Sequence, residues 1–197
     1  MLLLALTGFL GSGKTTFAVK LVKAALKKDL KVAVIVNEIG EVGIDDQFMK
    51  RLGFNVWEIL GGCICCTLTA NLVQTLEELH AAYSPDLVIV EPSGAADPRG
   101  IFSVFAHARI SSLSRRRQIA ILDPLRMEML IAVIEPLVTS TIEQADLILI
   151  SKADLASVEQ IEHTRRIAEG INSSAQIAVS GAGEDAEILS EILSWLI

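Results

Sequence analysis

The stretch "GFLGSGKT", residues 8–15, constrains the fold of this chain more than any other. It follows the apolar run "LLLAL" and opens "KTTFAVKLVKAALKK", whose apolar residues recur at helical spacing. Within eight residues a strand must end, the backbone must curl and a helix must begin. Glycines let the N–H groups turn inward around phosphate oxygens. Lys14 supplies a point charge at the β- and γ-phosphates, the Thr15 hydroxyl is a hard oxygen ligand for magnesium, and the helix amino end favours the anion. The loop assigns Gly8, Gly11, Ser12, Gly13, Lys14, Thr15 and Thr16 to the phosphates of a nucleotide. A glycine-rich turn arising by chance is the alternative, and the complete motif in its strand-to-helix context argues against it.

The rest of the chain repeats the same alternation. "KVAVIVN", "FNVWEIL", "DLVIVE", "QIAILD", "ADLILIS" and "AQIAVS" read as short buried strands. "TANLVQTLEELHAAY" and "EDAEILSEILSWL" read as helices, and His163 falls in a third, polar one. Near-continuous apolar strands separated by helices predict an α/β fold: a mainly parallel central sheet with helices on both faces, the three-layer sandwich of P-loop NTPases. The 197 residues are 51% hydrophobic, which suits one P-loop domain over 1–197 with no second domain.

In such sheets ligands bind at the carboxyl ends of the strands, so the residues that follow strands carry the functional reading. Glu91 ends "DLVIVE"; an ionised group there suits a hydrated magnesium ion or a water near the γ-phosphate, with helix capping as the alternative. Gly94 can bring its N–H to the γ-phosphate. "SKADL" resembles the Asn-Lys-x-Asp element that reads guanine. Asp154 can accept from guanine N1–H and the 2-amino group, which adenine cannot satisfy, and the stem of Lys152 can lie along the purine. Ser151 stands where asparagine is usual. Ser180 and Gly181, in "VSGAG", either close a last loop against the base or form a simple strand-to-helix turn.

All three cysteines, Cys63, Cys65 and Cys66, sit in "GGCICC". Thiolates are soft and suit zinc, copper(I), cobalt or nickel. On a regular strand neighbouring side chains alternate, so convergence needs an irregular turn, which Gly61 and Gly62 permit. Three local thiols leave the fourth position of a tetrahedral site to Glu38, a water or a second subunit. An incomplete site suits a carrier, whose metal must leave. A redox pair and plain packing are the alternatives. His80, His107 and His163 are isolated and read as structural.

A net charge of −7 argues against sequence-independent nucleic-acid binding. The basic run Arg115–Arg117 leads into "QIAIL" and reads as a solvated strand entry. No apolar run reaches the roughly 20 residues of a membrane span. Thiols without a disulfide framework fit the cytoplasm.

Taken in order, "GFLGSGKTT", "NEIGEVGID", "GGCICC", "EPSG", the aspartate of "ILDP" and "SKAD" resemble the CobW-like GTPases, relatives of the urease and hydrogenase maturation GTPases. The likeness spans about residues 2–183. It implies binding and slow hydrolysis of GTP to GDP with magnesium, and the handling of a transition metal such as zinc, cobalt or nickel. It implies that "NEIGEVGID" is a switch loop, with Asn37 and Glu38 facing the nucleotide–metal region and Asp45 at the magnesium shell or the attacking water. Lys14, Glu91 and Asp45 are then the catalytic residues. Thr15 and Glu91 hold magnesium, and Glu38 with the three cysteines holds the transition metal. The expected partner is a metal-dependent client enzyme or cofactor protein, with a nucleotide- or metal-dependent homodimer as one way to complete the site. A chaperone for a corrinoid or other cofactor protein, its cysteines merely structural, is the alternative. A small-molecule kinase would leave "GGCICC" and "SKAD" unexplained.

Overall fold

The computed structural model describes residues 1–36, 56–58, 67–92, 113–181 and 185–197. Among them, seven strands form one sheet. They are β1 (Leu2–Thr7), β2 (Val32–Val36), β3 (Val56–Glu58), β4 (Leu87–Glu91), β5 (Arg115–Leu122), β6 (Leu147–Ile150) and β7 (Gln176–Val179). Their order across the sheet is β3-β2-β4-β1-β5-β6-β7, and every pairing is parallel. The helices are α1 (Lys14–Leu26), α2 (Thr67–Tyr83), α3 (Met127–Glu143), α4 (Val158–Ile171) and α5 (Asp185–Leu196). This is the expected α/β architecture.

Side-chain alternation on β1 explains the two covered faces. Leu2, Leu4 and Leu6 pack with Phe17, Leu21 and Val22 of α1 and with Leu189, Leu193 and Leu196 of α5. Leu3 points the other way, into a cluster with Leu76 and Leu79 of α2. Further along that second face, Ala120, Leu122 and Ile148 meet Met127, Leu130 and Val138 of α3 and Ala168 of α4. All six β1 residues are buried, and the strand is apolar from Leu2 to Leu6, with Thr7 its one polar residue. Each fully buried leucine contributes about 1.5–3 kcal/mol.

Two helices depart from simple periodicity. The lysines of "KAALKK" are only partly in α1: the helix ends at Leu26, and Asp29 takes a left-handed φ of 59° that lets Leu30 N–H return to Ala25 O. Helix α3 carries Pro136 in its interior and breaks helical geometry at Ile134, with φ −139° and ψ 39°. Proline removes one intrahelical donor and crowds the preceding turn, which accounts for the kink. The carboxyl end of α3 is closed from a distance: Asn172 Nδ2 donates to Ile142 O at 2.9 Å and Ala145 O at 2.9 Å.

Arg115 to Arg117 form the first residues of β5, as a basic strand entry should. Arg117 is also structural: it pairs with Asp146 at 3.1 Å and lies 4.8 Å from the Trp195 ring centre. No helix among the described residues is long and apolar enough to cross a membrane.

Candidate nucleotide site

The parallel register delivers all the strand ends to one edge of the sheet, and the site is built there. β1 ends at Thr7 and α1 starts at Lys14, so the six residues between them form the phosphate loop. Gly8, Gly11 and Gly13 all have positive φ, at 143°, 76° and 98°. Gly8 also lies against β5: a Cβ there would run into the Ile121 carbonyl and come within 2.8 Å of Ser12 Oγ. Gly13 is the N-cap of α1 and provides no side-chain cap. The first N–H groups of the helix are therefore left to the loop's ligand. Ser12 is buried, and its hydroxyl has no hydrogen-bond partner among the described residues. A buried donor-acceptor of this kind at the mouth of a helix fits a phosphate oxygen.

Lys14 is buried, 7% exposed, with Nζ 3.3 Å from Phe9 O. Burial pushes its pKa below the ordinary lysine value, and the nearby Glu91 charge partly opposes that shift. Thr15 Oγ1 donates to Glu91 Oε1 at 2.8 Å. A hydroxyl and a carboxylate in contact beside a lysine are a hard-oxygen set, and they fit magnesium carried by a triphosphate. Thr16 is exposed on the first turn of α1.

The residues expected to recognise the base assemble on the far side of the loop. Ser151 follows β6, and its hydroxyl lies 2.8 Å from Ser12 O and 3.0 Å from Leu122 O. The serine that replaces asparagine therefore still clasps the phosphate loop. Lys152 adopts a left-handed φ of 54° and pairs with the buried Asp123 at 2.6 Å. Asp123 in turn accepts from Leu125 N at 3.0 Å. Asp154 is exposed at the rim. The last loop packs against it: Ala153 N donates to Ser180 O at 3.0 Å, and a Cβ on Gly181 would fall 2.9 Å from Asp154 N. Ser180 and Gly181 thus join the "SKAD" segment, rather than making only a strand-to-helix turn.

Two features escaped the sequence reading. Asp123 belongs to the quoted "ILDP" but had no role; it anchors Lys152. Arg126, the N-cap of α3, donates from Nη1 to Leu10 O of the phosphate loop at 2.7 Å. β5 neighbours β1, so residues just after β5 must lie beside the loop after β1. That adjacency is the signal that would have flagged "DPLR".

Asn37, Glu38, Asp45, Cys63, Cys65, Cys66, Gly94 and His107 lie outside the described residues. The strands that lead to several of them are described. Val36 pairs with Glu91 on one side and Glu58 on the other, so β2, β3 and β4 end on one row. His80 lies on α2, and His163 is exposed on α4.

Comparison with known proteins shows the family. Residues 2–179 match the model of the CobW/HypB/UreG nucleotide-binding domain. The zinc chaperone YeiR of Escherichia coli is 39% identical over 120 residues, covering 60% of this chain and 36% of YeiR. The zinc chaperone YjiA of E. coli is 32% identical over 174 residues, covering 81% of this chain and 52% of YjiA, and its Zn(II)-bound crystal structure superposes with a TM-score of 0.64 at 23% identity over 93% of this chain and 58% of that one. The hydrogenase maturation factor HypB of Archaeoglobus fulgidus superposes with a TM-score of 0.69 at 19% identity, over all of this chain and 91% of that one. The chain spans about half or less of the length of these two curated zinc chaperones. With the family model matched from β1 to the end of β7, this chain belongs to the CobW/HypB/UreG nucleotide-binding domain family.

Proposed function

We propose that this protein is a slow GTPase that carries a transition metal on its Cys-x-Cys-Cys turn and changes its hold on that metal with the nucleotide state. The observation that carries the coupling is the common row of strand ends. Glu91, at the magnesium end of the site, pairs in register with Val36, and Val36 pairs with Glu58. Glu38 follows β2 by two residues, and Cys63 follows β3 by five. Neighbouring strands are about 4.8 Å apart, so a change beside Glu91 has a short path to both segments. Helix α2 starts at Thr67, the residue after Cys66, and a helix amino end favours thiolates.

In the nucleotide half, bound magnesium neutralises charge on the triphosphate. Lys14 holds the β- and γ-phosphates, Thr15 and Glu91 orient the ion, and Gly94 and Asp45 sense or activate at the γ-phosphate. Lys152 and Asp154 select guanine, backed by Ser180 and Gly181. Phosphoryl transfer then depends on positioning and charge neutralisation, and turnover is slow. In the metal half, Cys63, Cys65, Cys66 and Glu38 take zinc, cobalt or nickel as cargo. The names of YeiR and YjiA as zinc chaperones support zinc first. The recipient is a metal-dependent client enzyme or cofactor protein, reached in a reducing compartment such as the cytoplasm. A second copy of the chain is one source of a missing ligand.

The test has two arms. Reduced protein with GTP and magnesium should release phosphate slowly, and Lys14→Ala should abolish nucleotide binding. Cobalt(II) should give thiolate-to-metal charge-transfer absorption in the parent and none in Cys65→Ser/Cys66→Ser. Unchanged GTP affinity in the first variant, or equal cobalt affinity in the second, contradicts the corresponding half.

A further inference from the structure

The geometry points to Ser151 as a specificity-determining residue: we propose that its hydroxyl proton is committed to the phosphate loop, so the site reads guanine without any hydrogen bond to purine N7. The inference rests on the GTP reading above. Ser151 Oγ has two neighbours within bonding distance, Ser12 O at 2.8 Å and Leu122 O at 3.0 Å. Both are carbonyl oxygens and can only accept. A serine hydroxyl has one proton, which must point at one of them or be shared between them. What remains on that oxygen is lone pairs, and these repel another acceptor.

Guanine N7 is an acceptor, as is O6, whereas the N1–H and 2-amino groups donate. An asparagine amide at this position has two protons. It can give one to the loop carbonyl and the other to N7. Serine must choose, and here it has chosen the loop. The choice is reinforced by the backbone, because Ser151 N also donates to Leu122 O at 2.9 Å and fixes the residue against the end of β5. Recognition of the base therefore falls to Asp154, whose carboxylate complements the N1–H and 2-amino edge. Gly181 leaves that carboxylate its room, since a Cβ there would sit 3.2 Å from Asp154 Oδ1.

Competition binding against a fluorescent guanine nucleotide tests this, with GTP, 7-deaza-GTP, ITP and ATP as competitors. The GTP reading is judged by GTP over ATP and GTP over ITP, since ITP lacks the 2-amino group. The inference is judged separately by the ratio of 7-deaza-GTP to GTP affinity, or of 7-deaza-ATP to ATP should adenine prove to be the base. In the parent, the 7-deaza nucleotide should bind within about threefold of its natural counterpart, less than the loss of one net hydrogen bond to the base. Ser151→Ala should weaken both members of the pair alike, because only the loop clasp is lost. Ser151→Asn should restore a donor for N7 and prefer the natural purine by more than about threefold. A parent that prefers the natural purine by more than about threefold overturns the inference. So does a Ser151→Ala variant that weakens GTP while leaving 7-deaza-GTP unchanged.

Discussion

Thr15 Oγ1 donates to Glu91 Oε1 at 2.8 Å, joining the first turn of α1 to the end of β4 across 76 positions of sequence. The contact places the hydroxyl proposed to hold magnesium and an acidic partner side by side at the carboxyl edge of the sheet. Thr15→Ala removes the hydroxyl and should cut magnesium-supported GTP affinity by about tenfold or more. Titration calorimetry with magnesium and with EDTA should show that the variant has lost most of the difference between the two. Glu91→Gln keeps an acceptor for Thr15 but loses the charge. It should still bind GTP and release phosphate about 10–100-fold more slowly in single-turnover assays.

Lys14 sets the alkaline limit of binding. Its folded-state pKa is lowered by burial, so on raising the pH it loses its proton before an ordinary lysine does. Between that lowered value and the unfolded value the unfolded chain holds more protons, so the stability of the nucleotide-free protein rises with pH there. Nucleotide affinity runs the opposite way, because the phosphates need the ammonium form. GTP affinity measured from neutral pH upward should fall on the alkaline side, while the melting temperature of Lys14→Met relative to the parent shows its greatest advantage at neutral pH and loses it as pH rises.

The glycines differ in what they protect. Gly8→Ala would drive a methyl into the Ile121 carbonyl and strain a φ of 143°. It should cost about 1–3 kcal/mol or more in chemical denaturation and abolish nucleotide binding. Gly181→Ala would press instead on Asp154 at the rim. It should lower the preference for GTP over ATP, with a smaller change in stability.

Asn172 supplies the converse control. Its side chain closes the end of α3 through Ile142 O and Ala145 O, and none of its hydrogen-bond partners among the described residues belongs to the nucleotide site. Asn172→Ala should destabilise the fold by about 1–3 kcal/mol while leaving GTP affinity unchanged at a temperature where the variant is folded.

The nucleotide half was legible because its signals are local. The loop from Gly8 to Thr15 and the strand end at Glu91 are each written in a few consecutive residues, and all seven strands announce themselves as short apolar runs. Helix α3 was not: Pro136 in its interior reads as a helix breaker, and the helical geometry does break at Ile134. Arg126 and Asp123 were missed because their partners, Leu10 and Lys152, are 116 and 29 residues away and meet them only through sheet order. Ser151 read as a departure from a motif. The short side chain nevertheless reaches the same loop, because the end of β6 lies beside Ser12.

Coupling between the metal and nucleotide sites should show as reciprocal linkage. Zinc affinity of the reduced chain should be measured with GDP and with a non-hydrolysable GTP analogue, and the affinity for each nucleotide with and without zinc. The two sites share a coupling free energy, so zinc must change the GTP-to-GDP affinity ratio by the same factor by which the nucleotide changes zinc affinity. That factor should be about fivefold or more, and lost in Cys65→Ser/Cys66→Ser. Zinc affinity that is the same with both nucleotides would contradict it.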